Sequence, residues 1–211
     1  MQAMKPSSDT LATILPKPKF RLMFKTCTAL FLISLNLVVF GDDLDGKVLA
    51  EKYCSECHQS DGNSKDENIP KIAGFSAALT YDILDQFKSE YRDAKEVENK
   101  KGQMTNMVEI SKNLTENEIE ALSNYFSNTI FKPEKQGSTE KHDKILIETG
   151  KQLHLDFCND CHVDLGTSTD DDAPILAGQW KAYLVEQFDA FSNHKRRMTR
   201  RMKKKFRKLE N

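Results

Sequence analysis

Apolar residues recur at three- and four-residue intervals in five stretches, and none alternates with polar residues over the length of a strand. The spacing predicts helices over 44–53, 77–91, 116–128, 145–157 and 180–191. Tyr81, Leu84 and Phe87 share one apolar face, Tyr183, Val185 and Phe188 another, and Ile119, Leu122 and Phe126 a third. Thr115-Glu116-Asn117-Glu118 is a capping box that opens the helix at 116. Residues 132–144 are polar, carry Pro133 and Gly137, and have no periodicity, so they read as a linker. The chain is expected to be all-α.

The helices belong to a repeat. At an offset of 104, Gly46-Lys47 falls on Gly150-Lys151, Tyr53-Cys54 on Phe157-Cys158 and Cys57-His58 on Cys161-His162. Gly62 then falls on Gly166, Pro70 on Pro174 and Ala73-Gly74 on Ala177-Gly178. Two tandem domains are expected, 42–131 and 145–211, joined by linker 132–144. Aligning Leu114 with Leu209 puts Glu116 on Asn211, so the second domain has no counterpart of the helix at 116–128. It reads as C-terminally truncated, with an apolar face of the 145–157 helix uncovered. Units this small bury little core by themselves, so a non-protein group is expected to complete each.

Composition places the whole. A mean hydropathy of −0.60 excludes a polytopic membrane protein. Lys17, Lys19, Arg21 and Lys25 precede an apolar run from Cys27 to Phe40, and Val39 and Gly41 suit cleavage after Gly41. Residues 1–41 read as a secretory signal peptide, too short in their apolar run to span a bilayer comfortably. The remainder is expected to be exported to the periplasm.

Four of the five cysteines form two motifs, Cys54-Ser55-Glu56-Cys57-His58 and Cys158-Asn159-Asp160-Cys161-His162. Both are C-x-x-C-H, the attachment pattern for a c-type haem. Two thiols one helical turn apart reach the two vinyl groups on one haem edge, and the next histidine lies under the iron. A redox dithiol would place C-x-x-C in a βαβ setting, which is absent, and a shared zinc would need the two pairs to meet. Two covalently bound haem c groups are therefore expected, on Cys54 and Cys57 and on Cys158 and Cys161, with His58 and His162 as iron ligands. For the sixth position, Met107 stands seven residues before Leu114, and Met202 seven before Leu209; Met104 and Met198 share no such register. His142, His154 and His194 are rivals for a bis-histidine site, the first two reading as surface residues. A thioether ligand raises the reduction potential.

These residues resemble the class I c-type cytochromes, specifically the dihaem cytochrome c4 type, over about 160 residues. The resemblance rests on the two C-x-x-C-H motifs, on Pro70-x-Ile72-Ala73-Gly74 and Pro174-x-Leu176-Ala177-Gly178-Gln179, on Tyr81 and Tyr183, and on the late methionines. It implies that the carbonyls of Pro70 and Pro174 each accept a hydrogen bond from the non-ligating nitrogen of the histidine twelve residues earlier. It implies an electron carrier, not an enzyme, passing electrons from a quinol-oxidising complex of the cytochrome bc1 type or a dehydrogenase to a terminal oxidase. The cytochrome subunit of a sulfide-oxidising flavoprotein is the near alternative, and a dihaem peroxidase a more distant one. Phe75 stands where the second copy has Gln179, a departure from the pattern.

Charge refines the partner. The chain carries 31 basic and 32 acidic residues. Without 1–41 the balance is 26 to 31, and without 195–211 as well it is 16 to 30, a net of −14. Lys195–Lys208 holds ten basic residues in fourteen, a strip expected to dock an acidic redox partner or an anionic membrane surface. Nucleic acid is not an expected partner.

Overall fold

The computed structural model describes residues 44–134, 143–170 and 172–209. The expected signal peptide with Cys27, most of the expected linker and His142 lie outside the described residues. The first repeat holds α1 (Gly46–Tyr53), α2 (Ser55–His58), α3 (Ala77–Lys88), α4 (Met107–Lys112) and α5 (Glu116–Ser127). A two-stranded antiparallel hairpin, β1 (Val97–Glu98) with β2 (Met104–Thr105), precedes α4. The second repeat holds α6 (Lys144–Phe157), α7 (Lys181–Ser192) and α8 (Arg200–Phe206). The architecture is helix-rich, and the five periodic stretches coincide with α1, α3, α5, α6 and α7. The short α4 and α8 have too few turns to show a period, and both begin at a side-chain cap, Asn106 and Thr199.

The helices α1, α3, α5 and α6 start where a short polar side chain relieves their first N–H groups, whereas α7 follows Trp180 with no side-chain cap. Asp45, Ser76 and Asp143 cap α1, α3 and α6. Thr115 and Glu118 form the reciprocal capping box of α5, and the bond from the Thr115 N–H holds the Glu118 carboxyl below its ordinary range. The first repeat's core is Leu49, Ala50, Leu84, Leu114, Ile119, Leu122 and Phe126, where α5 packs on α1 and α3. Gly46 lets α1 approach α5 closely: a Cβ there would lie 2.6 Å from Tyr125 Cβ and nearer still to the Ala121 carbonyl oxygen.

The second repeat is more open. α6 buries none of its residues, and Ile145, Leu146, Ile147, Leu153 and Leu155 are exposed. Gly150, the counterpart of Gly46, has nothing among the described residues within 4 Å of a Cβ. Its apolar contacts centre on Phe191 and Phe206, both buried, with Phe188 stacked on Phe206 at 6.0 Å. Val185 and Phe188, expected on an apolar face, are about half exposed.

The two repeats share an interface. The buried Gln179 side chain accepts from the Lys71 N–H at 2.9 Å and donates to the Lys71 carbonyl at 2.8 Å. Lys71 Nζ then reaches the Lys132 carbonyl and Glu134, and lies 4.8 Å from the Trp180 ring centroid. Pro133 packs on Gly178, so the start of the linker is part of this seam. The departure at Phe75 has a reason here: Gln179 ties the repeats together, while Phe75 is buried and lines the first repeat's cavity. Gln179→Ala would strand both Lys71 backbone groups, at about 1–3 kcal/mol for each unsatisfied group. The expected result is a loss of that order in denaturant unfolding, with Gln179→Glu recovering only the contact to the N–H.

Candidate functional site: two histidine cradles and an apolar cavity

The C-x-x-C-H motif begins at the end of α1, where Cys54 closes the helix and the Cys57 and His58 N–H groups bond to its carbonyl. The chain reverses after His58 and returns through Gly62 and Pro70. The Gly62 carbonyl accepts from the Ile72 and Ala73 N–H groups at 2.8 and 3.2 Å. Gly62 adopts φ 76°, and a Cβ would lie 2.7 Å from Ala73 N, so glycine is required on both counts. This turn sets the Pro70 carbonyl 2.9 Å from His58 Nδ1. Nδ1 is thereby the protonated, donating nitrogen, and Nε2 keeps its lone pair. Burial lowers the His58 pKa, which holds the ring neutral, as a metal ligand must be.

The second repeat reproduces the arrangement. The Gly166 carbonyl accepts from the Leu176 and Ala177 N–H groups at 2.8 and 3.0 Å, with φ 82° at Gly166. His162 Nδ1 lies 3.0 Å from the Pro174 carbonyl, and burial lowers its pKa likewise. The intervening turn differs: Asp164 and Leu165 both adopt left-handed backbone, at φ 52° and 56°.

A cavity of about 440 Å³ opens over the first motif. Cys54, Cys57, His58 and Met107 line it, with Ile72, Phe75, Leu84 and Phe87 among its apolar walls. The volume lies in the ordinary range of cofactor pockets, roughly 300–1,000 Å³. Thr80, also on its wall, has a buried hydroxyl with no hydrogen-bond partner. Met104 sits in β2 and is 61% exposed, outside the lining. Burial pushes the Cys54 thiol up to about 12 and raises Cys57 as well, the reverse of a reactive dithiol. Among the described residues no three His, Cys, Asp or Glu side chains converge as a metal cluster. Thiols, a neutral histidine and a thioether around one apolar space fit a covalently attached haem.

A family model for cytochrome c matches residues 44–129, the first repeat. Cytochrome c4 from Stutzerimonas stutzeri is 29% identical over 149 residues, covering 65% of this chain and 67% of that one. Cytochrome c4 from Azotobacter vinelandii is 28% identical over 162 residues, 72% of each chain. Residues 44–129 thus match the cytochrome c family, and most of the chain is similar to cytochrome c4. The crystal structure of reduced recombinant cytochrome c4 from Pseudomonas stutzeri shares its fold, with a TM-score of 0.56 at 24% identity over 77% of this chain and 88% of that one.

The remaining expected ligands are placed unequally. Met202 lies half-buried in the first turn of α8, its N–H bonded to Thr199. Met198 is half-buried in the extended segment before α8, and His194 is exposed on a left-handed turn. His154 differs from the expectation of a surface residue. It occupies the position of buried Ala50 in the repeat, is half-buried, and its Nε2 lies 3.0 Å from the His162 carbonyl. The imidazole spans from α6 to the motif, a contact that alanine in the first copy has no atoms to make.

The basic strip is also less uniform than its sequence. Arg196 turns inward, and Arg197 lies over the Tyr91 ring at 4.2 Å. Lys205 pairs with Asp160 of the second motif at 2.5 Å, and Lys101 pairs with Glu56 of the first at 2.6 Å. An acidic residue just before the second cysteine thus meets a lysine in each repeat. Lys195, Arg200, Arg201, Lys203, Lys204 and Lys208 are exposed. Among the described residues no helix is long and apolar enough to cross a membrane.

Proposed function

We propose that the chain is a periplasmic carrier with two covalently bound haem c groups. One is held by Cys54, Cys57, His58 and Met107, the other by Cys158, Cys161, His162 and Met202. The domains meant are 42–131 and 145–211, with residues 1–41 as the export signal. The observation that carries this reading is the duplicated cradle, in which each motif histidine spends Nδ1 on a proline carbonyl and keeps Nε2 for iron. Haem supplies a one-electron iron couple; the protein's part is to hold, orient and cover it. Pro70 and Pro174 fix the two rings, and the apolar walls around Phe75 and Phe87 keep water from the first site. In the proposed pathway a quinol-oxidising complex or a flavoprotein dehydrogenase supplies electrons, and a terminal oxidase takes them.

Optical redox titration of the purified full chain tests the reading. It should show two haems per chain, low-spin iron in both states, and a methionine–iron charge-transfer band of two-haem intensity. High-spin ferric haem, or turnover with peroxide, would count for the peroxidase alternative and against the carrier. The exposed part of the basic strip is assigned to docking an acidic redox partner. Electron-transfer rates should then fall steeply with ionic strength, and Lys203→Glu/Lys204→Glu should slow association without altering either potential. Rates that ignore salt, with tight binding to anionic vesicles, would assign the strip to the membrane surface instead.

A further inference from the structure

The peptide that joins Pro70 to Lys71 is hydrogen-bonded on both sides. Its carbonyl accepts from His58 Nδ1 at 2.9 Å, and its N–H donates to the Gln179 side-chain oxygen at 2.9 Å. The peptide is trans, so the two groups point in opposite directions from one amide plane. The Gln179 oxygen also accepts from the Trp180 N–H at 3.1 Å, and its side-chain nitrogen donates to the Lys71 carbonyl at 2.8 Å. An unbroken chain of imidazole, peptide and amide therefore runs from the first motif's histidine into the second repeat.

Amide resonance couples the two bonds. Charge gained at the carbonyl oxygen and charge lost at nitrogen belong to one shift of electrons. An acceptor at the N–H thus makes the carbonyl a stronger acceptor, by roughly 10–30% for each bond in such a chain. His58, Lys71 and Gln179 are all buried, which keeps the coupling from being screened by water. The Lys71 side chain is itself held, by the Lys132 carbonyl and over the Trp180 ring. The second repeat has no such extension. Its Pro174 carbonyl takes the His162 bond, but Phe75 stands at the counterpart of Gln179 and carries no acceptor. Among the described residues no side chain accepts from the Ile175 N–H, the counterpart of the Lys71 N–H.

We propose that Gln179 is a positioning residue of the second repeat that tunes the iron ligand of the first, acting on His58 through the peptide between Pro70 and Lys71. The inference rests on the haem reading above and deepens it. A stronger acceptor at Nδ1–H makes the imidazole a more electron-rich ligand, and an electron-rich ligand favours oxidised iron. Gln179 therefore holds the first haem's potential below the value its cradle would set alone. His162 receives no such help, so one difference between the copies, glutamine against phenylalanine, makes two matching cradles unequal. Because the amide belongs to the other repeat, the setting lasts only while the seam between the repeats is closed.

The test compares Gln179→Leu with Gln179→Glu in the full, haem-loaded chain. Leucine and an ionised carboxylate both lose the bond to the Lys71 carbonyl, so a purely structural role would move the potentials the same way in each. They differ at the Lys71 N–H: leucine removes the acceptor, and a carboxylate strengthens it. The potential of the haem attached at Cys54 and Cys57 should rise in Gln179→Leu and fall in Gln179→Glu. In reduced protein the His58 Nδ1–H proton resonance should move upfield in Gln179→Leu and downfield in Gln179→Glu, with the His162 proton unmoved in both. That proton separates the relay from the through-space field of a new carboxylate, which acts on both irons. If Gln179→Leu does not fold, the His58 proton of Gln179→Glu decides alone. Potentials that move with one sign in both variants, equal shifts at the two haems, or an unmoved His58 proton would each overturn the proposal. A chain that takes up no covalent haem would instead overturn the haem reading itself.

Discussion

Met107→Ala is expected to lower the reduction potential of one haem by on the order of 0.1 V or more, within the roughly 0.8 V range commanded by axial ligands. It should also halve the methionine–iron charge-transfer band. Met104→Ala should do neither. The two methionines are three residues apart and chemically identical, so position alone separates them. Hairpin pairing of Val97 with Thr105 and Glu98 with Met104 places Met104 at the surface. Asn106 then ends the strand and caps α4, accepting from the Glu109 N–H at 2.9 Å. The cap makes Met107 the first helical residue, packed against the core and on the cavity wall that includes His58. A vacated sixth position would show as high-spin ferric iron in Met107→Ala. If Met104→Ala produced that change instead, the assignment of the first iron's ligand would be wrong.

The contrast shows what a sequence carries about this kind of site. The contact from each motif histidine to the proline twelve residues on was legible through the family resemblance, which the repeated Gly62 and Gly166 turns support in both copies. The capping box was legible because its partners are three residues apart. Contacts between the repeats were not. Gln179 reaches Lys71 across 108 residues, and no local pattern distinguishes an amide that bridges two backbones from one that faces water. Arg196 was hidden differently, inside a run of ten basic residues, where charge alone gives no clue that one side chain turns inward. His154 failed as a surface residue for a related reason. Its spacing from the motif is one helical turn, which puts it over the His162 carbonyl as readily as in solvent.

The same substitution is expected to destabilise the first repeat and not the second. Gly46→Ala inserts a methyl 2.6 Å from Tyr125 Cβ and closer still to the Ala121 carbonyl oxygen. A carbonyl in the middle of a helix cannot move aside alone, so α1 and α5 must separate along the seam that holds Leu49, Ile119 and Leu122. Overpacking of that kind costs about 1–3 kcal/mol. Gly150→Ala meets nothing within 4 Å among the described residues. It replaces glycine inside a 14-residue helix, where alanine is favoured by roughly 0.5–1 kcal/mol. Urea unfolding of the haem-loaded chain, followed by far-ultraviolet dichroism, should therefore shift to lower midpoint for Gly46→Ala and to equal or higher midpoint for Gly150→Ala. A loss at Gly150 as large as that at Gly46 would show a helix packed against α6. Leu153, the counterpart of Leu49, and the open glycine would then form the counterpart of the α1 face that receives Ala121 and Tyr125.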